Sequence, residues 1–495
     1  MMHQMKSTDS PSGLGGPTLP AADPRRWRIL AVLSVALFMA MLDVSIVTVA
    51  LPSIQSGIGA TESDIQWVVA GYALTFGVLQ VASGRAGDLF GRGGLFIIGA
   101  AGFAAASVLA GLADAPLMLN FARAAQGLGA GLVLPQVVGM IQQFFSGPER
   151  GRAFGIFGGV VGVAVAIGPT FGGFLIHLFG HPDGWRSVFF INLPVGVVAI
   201  LLAVLWFPKP LLSGRADTSA NLARDLDPVG TVLLGLAVLG ILLPFVESGA
   251  SVLAWVALPI GLVLLVGWVA WERRYKRNGH SPMVDLDIFR APSFRNGTLL
   301  LALYFFGTSS IWIILNLYFQ QGLGHSPLEA GLLGLPSAMS TGVVAVWAGR
   351  LVGRYGRAVV IAGIWVALTG LAGSMLVVYL NHAGVASEWW LWPTLAIFGI
   401  GGGAVISPNQ ALTLEEVPLE YAGASGGVMQ TAQQVGISVG LAVVTAISFS
   451  ALSVSDWPTA FLVGLGVITV PLAAAQVVAY VDARRRHVPA VVQSR

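Results

Sequence analysis

Long apolar runs joined by short polar segments make up most of this sequence, and the length of the runs identifies them better than any periodicity. A helix needs about 20 predominantly apolar residues to cross roughly 30 Å of hydrocarbon. Fourteen runs meet that measure: 28–51, 65–84, 93–113, 117–143, 153–178, 186–207, 228–247, 252–272, 294–319, 328–349, 357–380, 389–412, 425–449 and 458–481. An even number of crossings predicts both chain ends on one side. Residues 1–27, rich in Ser, Pro and Gly, read as a disordered tail. They contain no charged start followed by a short apolar core of the secretory-signal kind. Residues 482–495 read as a second tail.

Composition agrees with that pattern. The chain is 55% hydrophobic and 10% charged, against about 25% charged for an average soluble protein, so most of its 495 residues cannot be solvated surface. The expected fold class is all-α, a polytopic membrane protein with 14 transmembrane helices. Its 64 glycines suit helices that pack closely in lipid, where small residues take over from hydrophobicity as the packing device. The absence of cysteine removes disulfide, thiolate-metal and thiol chemistry.

Charge fixes the expected orientation. Of the 26 Lys and Arg, all but Arg123, inside span 4, and Arg186, at the edge of span 6, fall on the tails or on one set of alternate loops and helix ends. That side is cytoplasmic by the positive-inside rule, so both termini are expected in the cytoplasm of a cell-membrane protein. Most of these arginines, Arg357 among them, read as topological anchors rather than a nucleic-acid site.

Two of the loops repeat. GRAGDLFGR, Gly84 to Arg92, and GRLVGRYGR, Gly349 to Arg357, share the form G-R-x-x-x-x-x-G-R; PERGRAFG from Pro148 is echoed by PLEYAGASG from Pro418. Spans 1–6 and 9–14 therefore read as two related bundles in parallel orientation, 28–207 and 294–481, with a linker and two inserted helices at 208–293. A parallel six-plus-two-plus-six arrangement puts a substrate site between the halves near the bilayer midplane, as an alternating-access transporter requires.

These residues carry a family resemblance. GRAGDLFGR, with Gly84, Asp88, Gly91 and Arg92, resembles the loop signature of the major facilitator superfamily, and NFARAAQGLGAG, with Arg123 and Gln126, its span 4 motif. GVAVAIGPTFGG, with Gly162, Gly168, Pro169, Gly172 and Gly173, resembles the span 5 motif of its antiporters. LDVSIVTVALP and WRSVFFINLPVG are similar to signatures of its fourteen-span drug:proton antiporters, the branch that holds exporters of quaternary ammonium compounds. The resemblance implies proton-coupled efflux of amphiphilic, mostly monocationic or weakly charged compounds by a monomer, with no cofactor. An exporter of an endogenous lipid or metabolite on the same scaffold is the alternative. The sequence departs from the signature at Leu89, Gly93 and Gly353, the last standing where the second loop copy would carry an acid.

Asp43, inside span 1, is the residue that most needs explaining, because a carboxylate at mid-membrane costs at least about 2.5–3.5 kcal/mol unless partnered or protonated. If span 1 ends near Pro52, Asp43 lies about 13 Å from that end, and Arg123 lies about 10 Å inside span 4 at the same face. The matching depths and opposite charges suggest a pair, either a static salt bridge or a proton-coupling site in which Asp43 exchanges a proton for substrate. Glu247, at the far end of span 7, is a possible second acid, and Glu415, Glu416 and Glu420 are expected to stay in water. One deep acid argues for one proton per cycle and for monovalent substrates.

The remaining assignments are coarser. Asp88 near a helix N-terminus, where a carboxylate is stabilised, reads with Arg92 as a latch between halves or as ordinary loop capping. The glycines of span 5 read as one face against the other bundle, or as plain helix packing. Phe38, Met39, Trp67, Tyr72, Gln126, Trp312, Asn316, Gln430, Gln433 and Gln434 are candidates for the cavity wall, while Trp255, Trp268 and Trp271 suit an interfacial belt. No lysine completes a phosphate-binding loop, and the seven histidines are scattered, which argues against an ATP-driven pump or a metalloenzyme.

Overall fold

The computed structural model describes residues 23–180, 183–212, 227–246, 252–325 and 327–486. Among them, fourteen helices are long and apolar enough to cross a membrane: α1 Arg26–Ile58, α2 Glu62–Phe90, α3 Arg92–Gly111, α4 Pro116–Phe144, α5 Gly147–Phe179, α6 Gly184–Trp206, α7 Pro228–Val246, α8 Ala257–Arg277, α9 Pro292–Gly322, α10 Gly334–Tyr355, α11 Arg357–His382, α12 Leu391–Thr413, α13 Ala422–Leu452 and α14 Trp457–Arg486. Residues 1–22 of the expected first tail, 487–495 of the second, and Glu247 lie outside the described residues.

Several helices outrun their apolar runs. Pro52 lies inside α1, which continues to the left-handed Gly59 (φ 63°). Asp43 is therefore about 22 Å from the far end of its helix at 1.5 Å per residue, near mid-helix, and the expected exit at Pro52 is corrected. A proline that loses one backbone bond is tolerated where neighbouring helices hold the segment. Helix α14 likewise runs to Arg486, so Asp482, expected in the tail, belongs to a packed helix. The joint between α2 and α3 is Gly91 alone (φ 101°), and that between α10 and α11 is Gly356 alone (φ 50°). Only glycine adopts such angles at no steric cost, which explains why the second G-R of each loop copy sits where it does.

Helices α1–α6 pack mainly on one another, as do α9–α14. Between these groups the main contacts pair α2 with α13 and α5 with α10. Glycines make both seams possible: a Cβ on Gly84 would fall on the Gly423 carbonyl, one on Gly151 would fall on the Gly349 carbonyl, and Gly162 faces Gly342 Cα. Helix α7 lies against α2 and α13, and α8 packs on α7, with Gly240 and Gly261 in close approach.

Candidate functional site

Asp43 is completely enclosed. Its Oδ2 accepts from Arg123 Nη1 at 2.6 Å, and its Oδ1 accepts from Gln126 Nε2 at 3.1 Å and from Asn192 Nδ2 at 2.8 Å. The arginine is buried too; its Nε donates to the Val68 carbonyl at 2.9 Å, and its guanidinium lies over the Tyr72 ring, 4.5 Å from the centroid. Gln126 also donates to Ser107 Oγ at 2.7 Å. Five helices build the cluster: α1 the acid, α4 the cation and an amide, α2 a carbonyl and a ring, α3 the hydroxyl, and α6 the second amide. Charge-assisted bonds of this kind are shorter and stronger than neutral ones, and a buried carboxylate needs them.

The expected Asp43–Arg123 pair is thus formed. Gln126 and Tyr72, expected on a cavity wall, belong to this cluster instead. Met39, also expected there, is buried in the core with its sulfur toward Gly196 of α6. Asn192 and Ser107 were missed; the one available hint was an asparagine within the apolar run of WRSVFFINLPVG. Phe38 and Trp67 are half-buried.

The remaining wall candidates sit on the other group of helices. Gln430 is buried, Gln433 and Gln434 are half-buried, and Gln434 Cγ would lie 3.4 Å from a Cβ on Gly77 of α2, so it reaches the seam. Trp312 is half-buried, and Asn316 is exposed and accepts from Gln320 Nε2 at 2.8 Å.

Asp88 lies within the last turn of α2 rather than in a loop. It accepts from the Gly423 and Ala424 amides at 2.9 and 3.0 Å, at the N-terminus of α13, and from Arg92 Nη2 at 2.7 Å. Arg92 continues across the seam to the Leu419 carbonyl at 3.0 Å. Beside it, Gln142 Nε2 donates to the Leu414 and Val417 carbonyls, both at 3.1 Å. These bonds tie α2, α3 and α4 to the start of α13 and the chain before it, at the end of the molecule that carries the described chain ends. The second loop copy has the same position without an acid, because a Cβ on Gly353 would stand 2.9 Å from Pro148 Cβ at the start of α5.

The span 5 motif does not present one face. Gly162 meets Gly342 of α10, but Gly168 and Gly172 pack on Ser45 and Ile46 of α1, and a Cβ on Gly173 would meet nothing within 4 Å. Pro169 stays inside an unbroken helix. The expectation that all five seal against the other bundle is corrected: a helix turns 100° per residue, so a motif of twelve residues serves two neighbours.

Two further corrections concern charge. Arg357, expected as a surface anchor, is 3% exposed; its Nε donates to Asp482 Oδ2 at 2.6 Å, Asn296 donates to the other carboxylate oxygen at 3.0 Å, and its Nη1 donates to Asn409. Asp43 is not alone as a buried acid, since Asp482, Asp227 and Glu272 are enclosed as well. Glu415, Glu416 and Glu420 are exposed, as expected. No group of three or more metal-ligating side chains occurs among the described residues.

The sequence profile of the Major Facilitator Superfamily matches residues 33–441. The chain is 37% identical over 462 residues, 90% of its own length and 78% of the relative's, to the "Probable actinorhodin transporter" of Streptomyces coelicolor. It is 33% identical to the puromycin resistance protein pur8 of Streptomyces alboniger, covering 87% of this chain and 83% of that one. Among solved structures, the human organic anion transporter MFSD10 superimposes with a TM-score of 0.65 at 13% identity, over 92% of this chain and all of that one.

Proposed function

The chain belongs to the Major Facilitator Superfamily, a transporter rather than an enzyme, and on that premise we propose that it exports small amphiphilic compounds from the cell in exchange for protons. The observation that carries the proposal is the enclosed Asp43, whose carboxylate is held by one cation and two amides drawn from two other helices, α4 and α6. Such a site gives a proton and a counter-charge alternative claims on one group, and ionisable residues inside spans mark proton routes. Relatives named for actinorhodin transport, puromycin resistance, tetracenomycin C export and multidrug resistance support antibiotic-like substrates.

The mechanism runs through helix contacts. In this reading residues 28–207 and 294–481 form two halves that rock about the seams, with the termini cytoplasmic. The bonds of Asp88, Arg92 and Gln142 then hold α2, α3 and α4 to α13 at the cytoplasmic end. Helix α5 links seam to site: it meets α10 through Gly151 and Gly162, and its Gly168 and Gly172 meet Ser45 and Ile46 of α1, two and three residues beyond Asp43. Parting α5 from α10 shifts α1 and hence the Arg123 contact, so proton binding and opening are coupled. The apolar and amide groups at the seam, with Gln430, Gln433 and Gln434 in place of acids, suit monocations and weakly charged compounds.

The test is dye transport in vesicles that carry the protein, with and without a pH gradient. Ethidium accumulation that follows the gradient and disappears in Asp43→Asn supports the proposal. Gradient-independent movement, or an unaffected variant, overturns it and leaves the Asp43 cluster as a structural salt bridge.

A further inference from the structure

Besides Arg123, Arg186 is the one basic residue set apart from the loops and tails that carry the rest, and neither topology nor the Asp43 scheme uses it. It lies at the start of α6, which is built in three pieces: Gly184–Arg186, Ser187–Phe190 and Asn192–Trp206. Its Nη1 donates to the Gly111 carbonyl at 3.0 Å and to the Ala113 carbonyl at 2.5 Å, at and just past the end of α3, and its Nε donates to Asp183 at 2.8 Å. The last four carbonyls of a helix have no partner within it, and a cation there also meets the negative end of the helix dipole. The guanidinium lies 4.6 Å from the centroid of the buried Trp185 ring, a placement that cation–π attraction favours. Gly111 completes the joint, because a Cβ there would stand 2.8 Å from the Phe190 ring.

From this joint the next residues of α6 run to the ion pair. Trp185, Phe189 and Asn192 follow one another at intervals of four and three, which puts them on one helix face. Trp185 meets Phe189 edge to face at 6.0 Å, the buried Phe189 ring lies 5.9 Å from the Arg123 guanidinium, and Asn192 donates to Asp43. Helix α3, on the other side of the joint, carries Ser107 one turn before Gly111, and Ser107 accepts from Gln126. We propose that Arg186 is a positioning residue for the Asp43–Arg123 pair. By fastening the first turns of α6 to the end of α3, it sets where Phe189 and Asn192 meet the pair and where Ser107 meets Gln126. Its effect on export rests on the reading of Asp43 as the proton-coupling acid; its effect on the geometry of the cluster does not.

The side chain of Arg186 is 25% exposed, so Arg186→Gln is expected to fold. Gradient-driven ethidium export per folded protein should fall about fivefold, the factor that a cation at a helix C-terminus is worth. Arg186→Lys, which keeps that cation, should recover most of the rate. A residue that acts through Asn192 has little left to lose once Asn192 is gone, so in an Asn192→Leu background Arg186→Gln should lower the rate little further. The same pattern is expected in thermal unfolding of the purified full chain, a readout that needs no transport: the drop caused by Arg186→Gln shrinks when Asn192 is already leucine, because residues in one network are not additive. Gly111→Ala, which presses on Phe190 without touching the guanidinium, should follow Arg186→Gln in both backgrounds. Equal drops in the two backgrounds, in export or in unfolding, overturn the inference and leave Arg186 as an ordinary helix cap. Non-additive unfolding in a chain whose export ignores the pH gradient overturns the transport reading and supports this one.

Discussion

Asp43 makes a midplane acid tolerable through its partners. Removing one member of a buried pair leaves an uncompensated charge and costs about 3–5 kcal/mol, so Arg123→Met should destabilise the protein strongly, as read by thermal unfolding. Asp43→Asn keeps an oxygen for Arg123 but removes its counter-charge, so it too is expected to lower the unfolding midpoint, and its loss of gradient-driven export is to be read on folded protein. Asn192→Leu deletes one donor and leaves a lone pair of Asp43 unsatisfied, a loss of about 1–3 kcal/mol. An unfolding midpoint equal to the parent's would show that Asn192 is a bystander. The charge at Arg357 follows the same logic on the other group of helices, where Asp482 and Asn409 hold it in a buried network that sequence order alone assigned to a loop and a tail.

At the level of helices, glycine decides who touches whom. A Cβ on Gly168 would fall on Ser45 Oγ, while one on Gly173 meets only open space. Overpacking of a tight contact costs roughly 1–3 kcal/mol, so Gly168→Ala should lower the unfolding temperature and Gly173→Ala should leave it unchanged; equal effects would contradict the contact pattern. The α2–α13 seam offers a second comparison. Asp88→Ala removes the carboxylate from the N-terminus of α13, where backbone amides and the helix dipole favour an anion. Because the chain has no native cysteine, labels on two introduced cysteines at the ends of α2 and α13 can report the separation directly. The population with the seam parted should grow in Asp88→Ala, and an unaltered distance distribution would assign Asp88 to local capping.

Across the whole molecule the quantities are energetic. One charge moved through 100 mV is worth about 2.3 kcal/mol, and one pH unit about 1.4 kcal/mol per proton. Exchange of one proton for one monocation moves no net charge, so export of ethidium should follow the pH gradient and ignore an imposed membrane potential. Export that responds to potential at constant pH would require a second proton per cycle.

What could be read from sequence was whatever depends on one dimension. Span number and helical class follow from the length of apolar runs, because lipid leaves the backbone no alternative to internal hydrogen bonding. The Asp43–Arg123 pair was legible because helical rise converts residue number into depth. The second amide at Asn192 and the ion pair of Arg357 with Asp482 were not legible, for they depend on the rotation of each helix about its axis. That rotation is set by glycine contacts between helices far apart in the chain. Depth is a property of one helix, whereas facing is a property of two, and only the packed structure determines the second.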